Sequence, residues 1–163
     1  MVTWRIHLNP WLYQKNNANS VLQCPSLEPP VQDDTTLRQG TRPASYGLNF
    51  SNGLHEYKDG GTNIEGARET DVVNPSGTIL ACDIAKITAV SNTPSDWVVS
   101  NSITNFGYAR FPSNWSNDPW VIFPRHSGRA NVLFYDGHTK SVDVLADIIN
   151  APRDNAACIY DNQ

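Results

Sequence analysis

The stretch HSGRANVLFYDGHTKSVDV, His126 to Val144, decides how this chain reads. Two runs of strand-forming residues, Ala130 to Tyr135 and His138 to Val144, flank Asp136-Gly137. Asp-Gly between such runs is a strong hairpin signal, because a tight primed turn needs positive φ, which glycine adopts without a Cβ clash and aspartate tolerates. Upstream, TILACDIAKI (Thr78 to Ile87) is apolar on both faces near its start, the pattern of a central strand. Asp83 stands inside that run and must find a partner, since burying a lone carboxylate is costly. Trp97 to Ser100 and Trp120 to Phe123 read as further short strands whose tryptophans belong to the core. Downstream, Val144 to Asn150 predicts a short helix capped by Asp143 and closed by Pro152.

Before the first strand the signal is weaker. From Cys24 to Gly77 the chain is dominated by Pro, Gly, Asn, Asp and Ser, with no sustained period of 2 or 3.6, and reads as a long loop-rich excursion. Tyr46, Leu48, Phe50 and Tyr57 are its candidate packing residues. Trp4, Leu8, Trp11 and Leu12 repeat at helical spacing, but Pro10 lacks the N–H that a continuous helix would need, so only a short turn from Asn9 and Pro10 is expected. With 163 residues and 39% hydrophobic content, the chain supports one domain, 1–163. Within it, 24–77 is the loop-rich part, 78–144 the sheet-forming part, and 144–163 a C-terminal helix and tail.

The net charge of −4 comes without any basic run, which excludes nucleic acid as the expected partner. Apolar stretches such as WVIFP (Trp120 to Pro124) fall far short of the ~20 residues that span a bilayer. No basic-then-apolar leader follows Met1, so export is expected to be encoded outside this chain. Only 17% of residues are charged, against roughly 25% in an average soluble protein. The balance of Asn, Ser, Thr and Gly suits an extracytoplasmic, β-rich protein.

Three cysteines, Cys24, Cys82 and Cys158, have no CxxC spacing and do not read as a zinc knuckle or redox pair. In an oxidising compartment they predict one disulfide and one spare thiol, and the competing reading is three buried free thiols. Cys24 opens the loop-rich excursion and Cys158 lies in a polar tail that needs a tether, so Cys24 with Cys158 is preferred over Cys24 with Cys82, which leaves Cys82 as a core thiol.

Asp83, His126, Asp136 and His138 are the candidate metal ligands, because imidazoles and carboxylates from separate strands could hold a divalent ion and activate water. Such a hydrolase would use His126 and Asp136. Extended strand at about 3.3 Å per residue holds these two far apart unless Ser127-Gly128 folds the chain back. The competing reading makes His126 a pin at the strand entry, Asp136 the acceptor of a bond inside its turn, and His138 a solvent-facing strand residue.

Calcium is a second metal candidate, with oxygen ligands in KDGGTN (Lys58 to Asn63) and NWSNDP (Asn114 to Pro119), although neither has EF-hand spacing. Trp115, in SNWSND, is the residue best suited to stack on a sugar if the chain is a carbohydrate-binding module. His7 and His55 have no partner in reach by sequence. No nucleophile elbow, phosphate-cradling glycine loop or HExxH is present.

His126, nine intervening residues and Asp136-Gly137 reproduce an H-x9-DG signature. Further pieces precede it in order: Trp4 to Leu12 (W…L.PWL), VLQCPS (Val21 to Ser26), SYGLN (Ser45 to Asn49) and NPSGTILACD (Asn74 to Asp83). Over roughly 4–144 the chain thereby resembles bacterial type II secretion pseudopilin-like proteins of the prepilin-type processing-associated H-X9-DG class.

That resemblance implies an α+β, pilin-like globular head with a small antiparallel sheet and long loops, carried on an N-terminal membrane-anchoring helix. It also raises the calcium reading, since some major pseudopilins staple a C-terminal loop with that ion. The G/F-T-L-x-E processing site and apolar helix of that class do not occur here, so Met1 is expected to start downstream of them, the alternative being a divergent protein that has lost the helix. The implied protein is a non-enzymatic head domain, without a catalytic residue or resident cofactor, located in the periplasm or at the cell surface. Its partners would be other pilin or pseudopilin subunits in a filament, and any membrane contact would run through the missing helix.

Overall fold

The computed structural model describes residues 24, 26, 45–49, 57–59, 62–64, 69–100, 108–112 and 120–151. Its strands are β1 (Tyr46–Asn49), β2 (Tyr57–Asp59), β3 (Thr62–Ile64), β4 (Ile79–Lys86), β5 (Tyr108–Ala109), β6 (Trp120–Ile122), β7 (Arg129–Phe134) and β8 (Thr139–Asp143). Six of them form one sheet in the order β5-β1-β4-β7-β8, with β6 also paired to β4, while β2 and β3 pair separately.

β4 is central, as its two apolar faces predict: β1, β7 and β6 all pair with it antiparallel. β5 runs parallel to β1, and Arg110 just beyond it bridges in parallel to Val121 of β6. Pairing therefore runs in a circuit through β4, β1, β5 and β6. Gly47 of β1 allows the close approach on this side, since a Cβ there would lie 2.7 Å from the Ile84 side chain and 2.9 Å from the Tyr108 backbone.

The α+β pilin-like head is not what the chain forms. Among the described residues the protein is mostly β, and its helical content is three single 3₁₀ turns and one short wide turn, Val144–Ile149. The physical reason is local. The apolar runs ILACDI and ANVLF are short, rich in alternating or doubly apolar positions and bounded by Gly, Pro, Asn and Asp, so they bury their side chains as strands. Only Val144, Ile148 and Ile149 repeat at helical spacing onto the core. The Asp143 carboxylate accepts from the Ala146 N–H at 2.9 Å, and the Asp147 carboxylate accepts from the Asp143 N–H at 2.9 Å, a reciprocal cap. Closure by Asn150 N–H onto the Leu145 carbonyl, 2.9 Å, gives the turn its i→i+5 width.

A register shift between Ile79 and Ala81 changes which face of β4 points inward. Beyond it Cys82 and Ile84 face the core with Val132, Ala130, Phe134 and Val142, and Asp83 is left on the opposite face. Trp120 and Trp97 join the core as expected, the latter with its indole N–H donating to the Ser91 carbonyl at 2.9 Å. Trp97 to Ser100 is not a strand, however. Val99 makes only an isolated bridge to Ile87, and Val98 and Val99 are exposed. Within the loop-rich part 24–77, β1 is a full partner of the central strand.

The Asp136-Gly137 hairpin is present, with a different turn. Phe134 N–H donates to the His138 carbonyl at 2.9 Å and Gly137 N–H to the Phe134 carbonyl at 3.0 Å, so three residues form the loop instead of two. Gly137, at φ 89°, supplies the left-handed residue that such a loop requires. A Cβ built there meets nothing within 4 Å, so the cost of a side chain is conformational rather than steric. Gly137→Val is expected to destabilise the fold by about 1–2 kcal/mol, and Gly137→Asn by less, because asparagine tolerates this conformation. Urea unfolding checks this; equal midpoints for wild type and Gly137→Val would contradict the turn.

Candidate functional site

The outward face of β4 carries the site. Asp83 is paired across the sheet with Tyr46 of β1, and although it points away from the core it has no solvent exposure. Beside it stand groups from two distant parts of the chain: Cys24 and the turn that leads into β7.

Ser127 (φ 54°) and Gly128 (φ 84°) both take positive φ, and His126 and Arg129 exchange backbone hydrogen bonds of 3.0 and 3.1 Å across them. This is a two-residue primed turn, the type the sequence suggested for Asp136-Gly137. It folds HSGR back, so that His126 reaches over Asn131 and Asp83 instead of extending away from them.

His126 Nε2 lies 3.2 Å from Asp83 Oδ2 and 3.6 Å from the buried Cys24 Sγ. Asp83 Oδ2 also accepts the Asn131 N–H at 2.7 Å, whereas Oδ1 is buried with no hydrogen-bond partner. Burial pushes the Asp83 carboxyl above its ordinary range, against the opposing pull of the Asn131 N–H, His126 and Arg125. The Arg125 guanidinium is not spent on the carboxylate. Its Nη2 donates to the Ile84 carbonyl at 2.7 Å, and its planar head sits 5.4 Å above the Phe123 ring. Tyr46 completes the surroundings, its hydroxyl pushed up to about 12 by burial and by the neighbouring Cys24 and Asp83.

The four candidate ligands divide into two pairs at opposite ends of β7. Asp83 and His126 meet at its start. Asp136 and His138 meet at its end, where Asp136 Oδ1 accepts both the His138 backbone N–H (3.1 Å) and its Nδ1–H (2.6 Å). Six residues of strand, roughly 20 Å, separate the pairs, so His126 and Asp136 do not share one reacting centre. His138 is exposed and stacks on Phe134, with ring centroids 4.3 Å apart and planes 5° from parallel.

Cys24 is the member that sequence reasoning missed as a partner of His126. It stands 102 residues away, and the only pointer was its place in CPS, one of the ordered blocks. Cys24 and Cys82 are both free thiols and are not bridged to each other, and Cys158, the preferred partner of Cys24, lies outside the described residues. Cys82 faces the core on the other side of β4, with its thiol pushed well up by burial first and by Asp83 second, which makes it inert. Of the two calcium loops, KDGGTN spans the β2–β3 pairing, with Lys58 opposite Asn63 and Asp59 opposite Thr62. NWSNDP and Trp115, like His7 and His55, lie outside the described residues.

Chemically, the cluster is not a nucleophile–base–orienter relay. A relay uses one imidazole nitrogen toward the nucleophile and the other toward the carboxylate. Here Nε2 faces both Sγ and Oδ2. Cys24, Asp83 and His126 instead each offer one ligand-capable atom, all within 4.8 Å of one another.

No family model, curated protein or solved structure matches this chain. The pseudopilin resemblance therefore stands on the quoted residues alone.

At the far pair, the two His138 hydrogen bonds hold the Asp136 carboxyl below its ordinary value of 3.8. A depressed folded-state value contributes stability above 3.8 that is lost as pH falls through the folded value. Asp136→Asn is accordingly expected to flatten the acid limb of the stability curve below about pH 4 and to leave its slope at neutral pH unchanged, as read by thermal melts across pH.

Proposed function

We propose that this chain is a non-enzymatic structural module, an extracytoplasmic head domain of a pseudopilin-like filament subunit, located in the periplasm or at the cell surface. The observation that carries the reading is what the ordered blocks do in three dimensions. Each block that falls among the described residues ties a distant segment to β4 or to the hairpin, while Trp4 to Leu12 lies outside them. Ser45 gives its carbonyl to Ile84 N–H at 2.8 Å, and the Asn49 side-chain amide donates to the Ile79 carbonyl at 2.9 Å. The Asn74 to Thr78 turn accepts Asp136 N–H on the Pro75 carbonyl and Tyr135 N–H on the Thr78 carbonyl, 3.3 and 3.1 Å. His126 joins Cys24 to Asp83. Residues used this way specify a shape, and the work of such a module lies on its surface.

The alternative hydrolase built on His126 and Asp136 loses its support from their separation along β7. The carbohydrate-binding alternative rests on Trp115, which lies outside the described residues.

Two measurements test the reading. An epitope-tagged gene product in its own cells is expected in the sheared-surface or envelope fraction and to yield a ladder of multimers on cross-linking; recovery as a cytosolic monomer would sink it. The purified chain is expected to leave ester, phosphoester and glycoside substrates intact with added divalent metals. Turnover abolished by His126→Ala would revive the enzyme reading.

A further inference from the structure

We infer that Cys24, Asp83 and His126 form a binding site for a zinc-class divalent ion, which fastens the Cys24 segment onto the sheet. The inference goes beyond the structural role proposed above and does not depend on filament assembly.

Three observations carry it. The first is spacing. Zinc bonds of about 2.3 Å to sulfur and 2.0–2.2 Å to nitrogen and oxygen, at tetrahedral angles, place S and N about 3.6 Å apart and N and O about 3.4 Å apart. Two of the three separations match, 3.6 Å for Cys24 Sγ to His126 Nε2 and 3.2 Å for His126 Nε2 to Asp83 Oδ2, and the sulfur–oxygen side, within 4.8 Å, would close to about 3.6 Å on binding.

The second is hydrogen-bond accounting at the shared nitrogen. Nε2 has one proton or one lone pair to offer and faces both Asp83 Oδ2 at 3.2 Å and Cys24 Sγ at 3.6 Å, so it serves only one of the two fully, and the thiol's other hydrogen bond is with the Tyr46 side chain. A cation between the three serves all of them.

The third is that the charge of Asp83 is met at only one of its two oxygens. The residue has no exposure, its Oδ1 has no hydrogen-bond partner, and the adjacent Arg125 Nη2 is turned to a backbone carbonyl. A divalent ion would offset that desolvation, and the Asn131 N–H on Oδ2 would serve as the outer hydrogen bond that holds a ligating carboxylate in place.

The donor set selects the ion. Thiolate, imidazole and carboxylate suit zinc and its neighbours, whereas calcium takes six to eight oxygens, roughly, and has no use for sulfur. On binding, the Cys24 thiol loses its proton to solvent and the sulfur lone pair forms the metal bond. The His126 side chain is 30% exposed, and the fourth position would be taken by water. The ion would supply, at Cys24, the fastening that a disulfide was expected to supply.

The full chain, stripped with chelator and reloaded, is expected to retain one zinc per molecule after dialysis, to melt at a lower temperature with EDTA, and to recover with added zinc. Cobalt should give a tetrahedral spectrum with a thiolate charge-transfer band. That band should vanish in Cys24→Ser and persist in Cys82→Ala, and Asp83→Asn and His126→Gln should each weaken binding at least tenfold. Circular dichroism verifies that each variant is folded. A wild-type chain that retains no zinc, or a charge-transfer band that survives in folded Cys24→Ser, overturns the inference.

Discussion

Asp83 holds a carboxylate with no solvent exposure on the outward face of the central strand, and much of the surrounding architecture answers that constraint. An unsolvated charge of this kind costs several kcal/mol unless partners meet it. The Asn131 N–H, His126 and Arg125 approach from the β7 side, and Tyr46 and Cys24 from the other. Every one of these belongs to a segment remote from Asp83 in the chain, so satisfying one side chain draws β1, β4, the entry to β7 and the Cys24 segment together.

The same strand serves a second layer on its inward face. The register shift near Ile79 lets β4 present Cys82 and Ile84 to an apolar core while Asp83 remains outside it. Without that irregularity, strict alternation from Ile79 would put Asp83 on the same face as Ile79. One extra residue in the ladder thus separates an apolar interior from a polar cluster across the thickness of a single strand. The two free thiols among the described residues follow the same division: Cys82 is sealed in the core, and Cys24 lies among groups that can coordinate or hydrogen-bond.

Two turns flank β7, and their chemistry accounts for the spread of polar residues along it. Ser127-Gly128 reverses the chain tightly and brings His126 to Asp83, while the wider loop at Asp136-Gly137 forms its own closed pair with His138. The H-x9-DG spacing measures one strand and its two turns. Its conspicuous residues act at opposite ends of β7 rather than at one site.

What the sequence determined by itself was local. Asp-Gly between strand runs marked the hairpin, the doubly apolar TILACDIAKI marked the central strand, Asp143 marked the helical cap, and neighbouring apolar residues marked Trp97 and Trp120 as core. Each depends on contacts within a few residues or on the period of burial, which are written in order along the chain. Tertiary structure decided the rest. It paired β1, from a segment without visible period, with β4, and laid β5 parallel to it. It gave the primed turn to Ser127-Gly128 in place of Asp136-Gly137. It replaced the expected α+β head by a mostly β one, and it seated Cys24 beside a histidine 102 residues away. None of these is carried by propensity or spacing, because strand partners and side-chain clusters are chosen by which distant surfaces satisfy one another's buried groups, and that choice exists only once the chain has closed on itself.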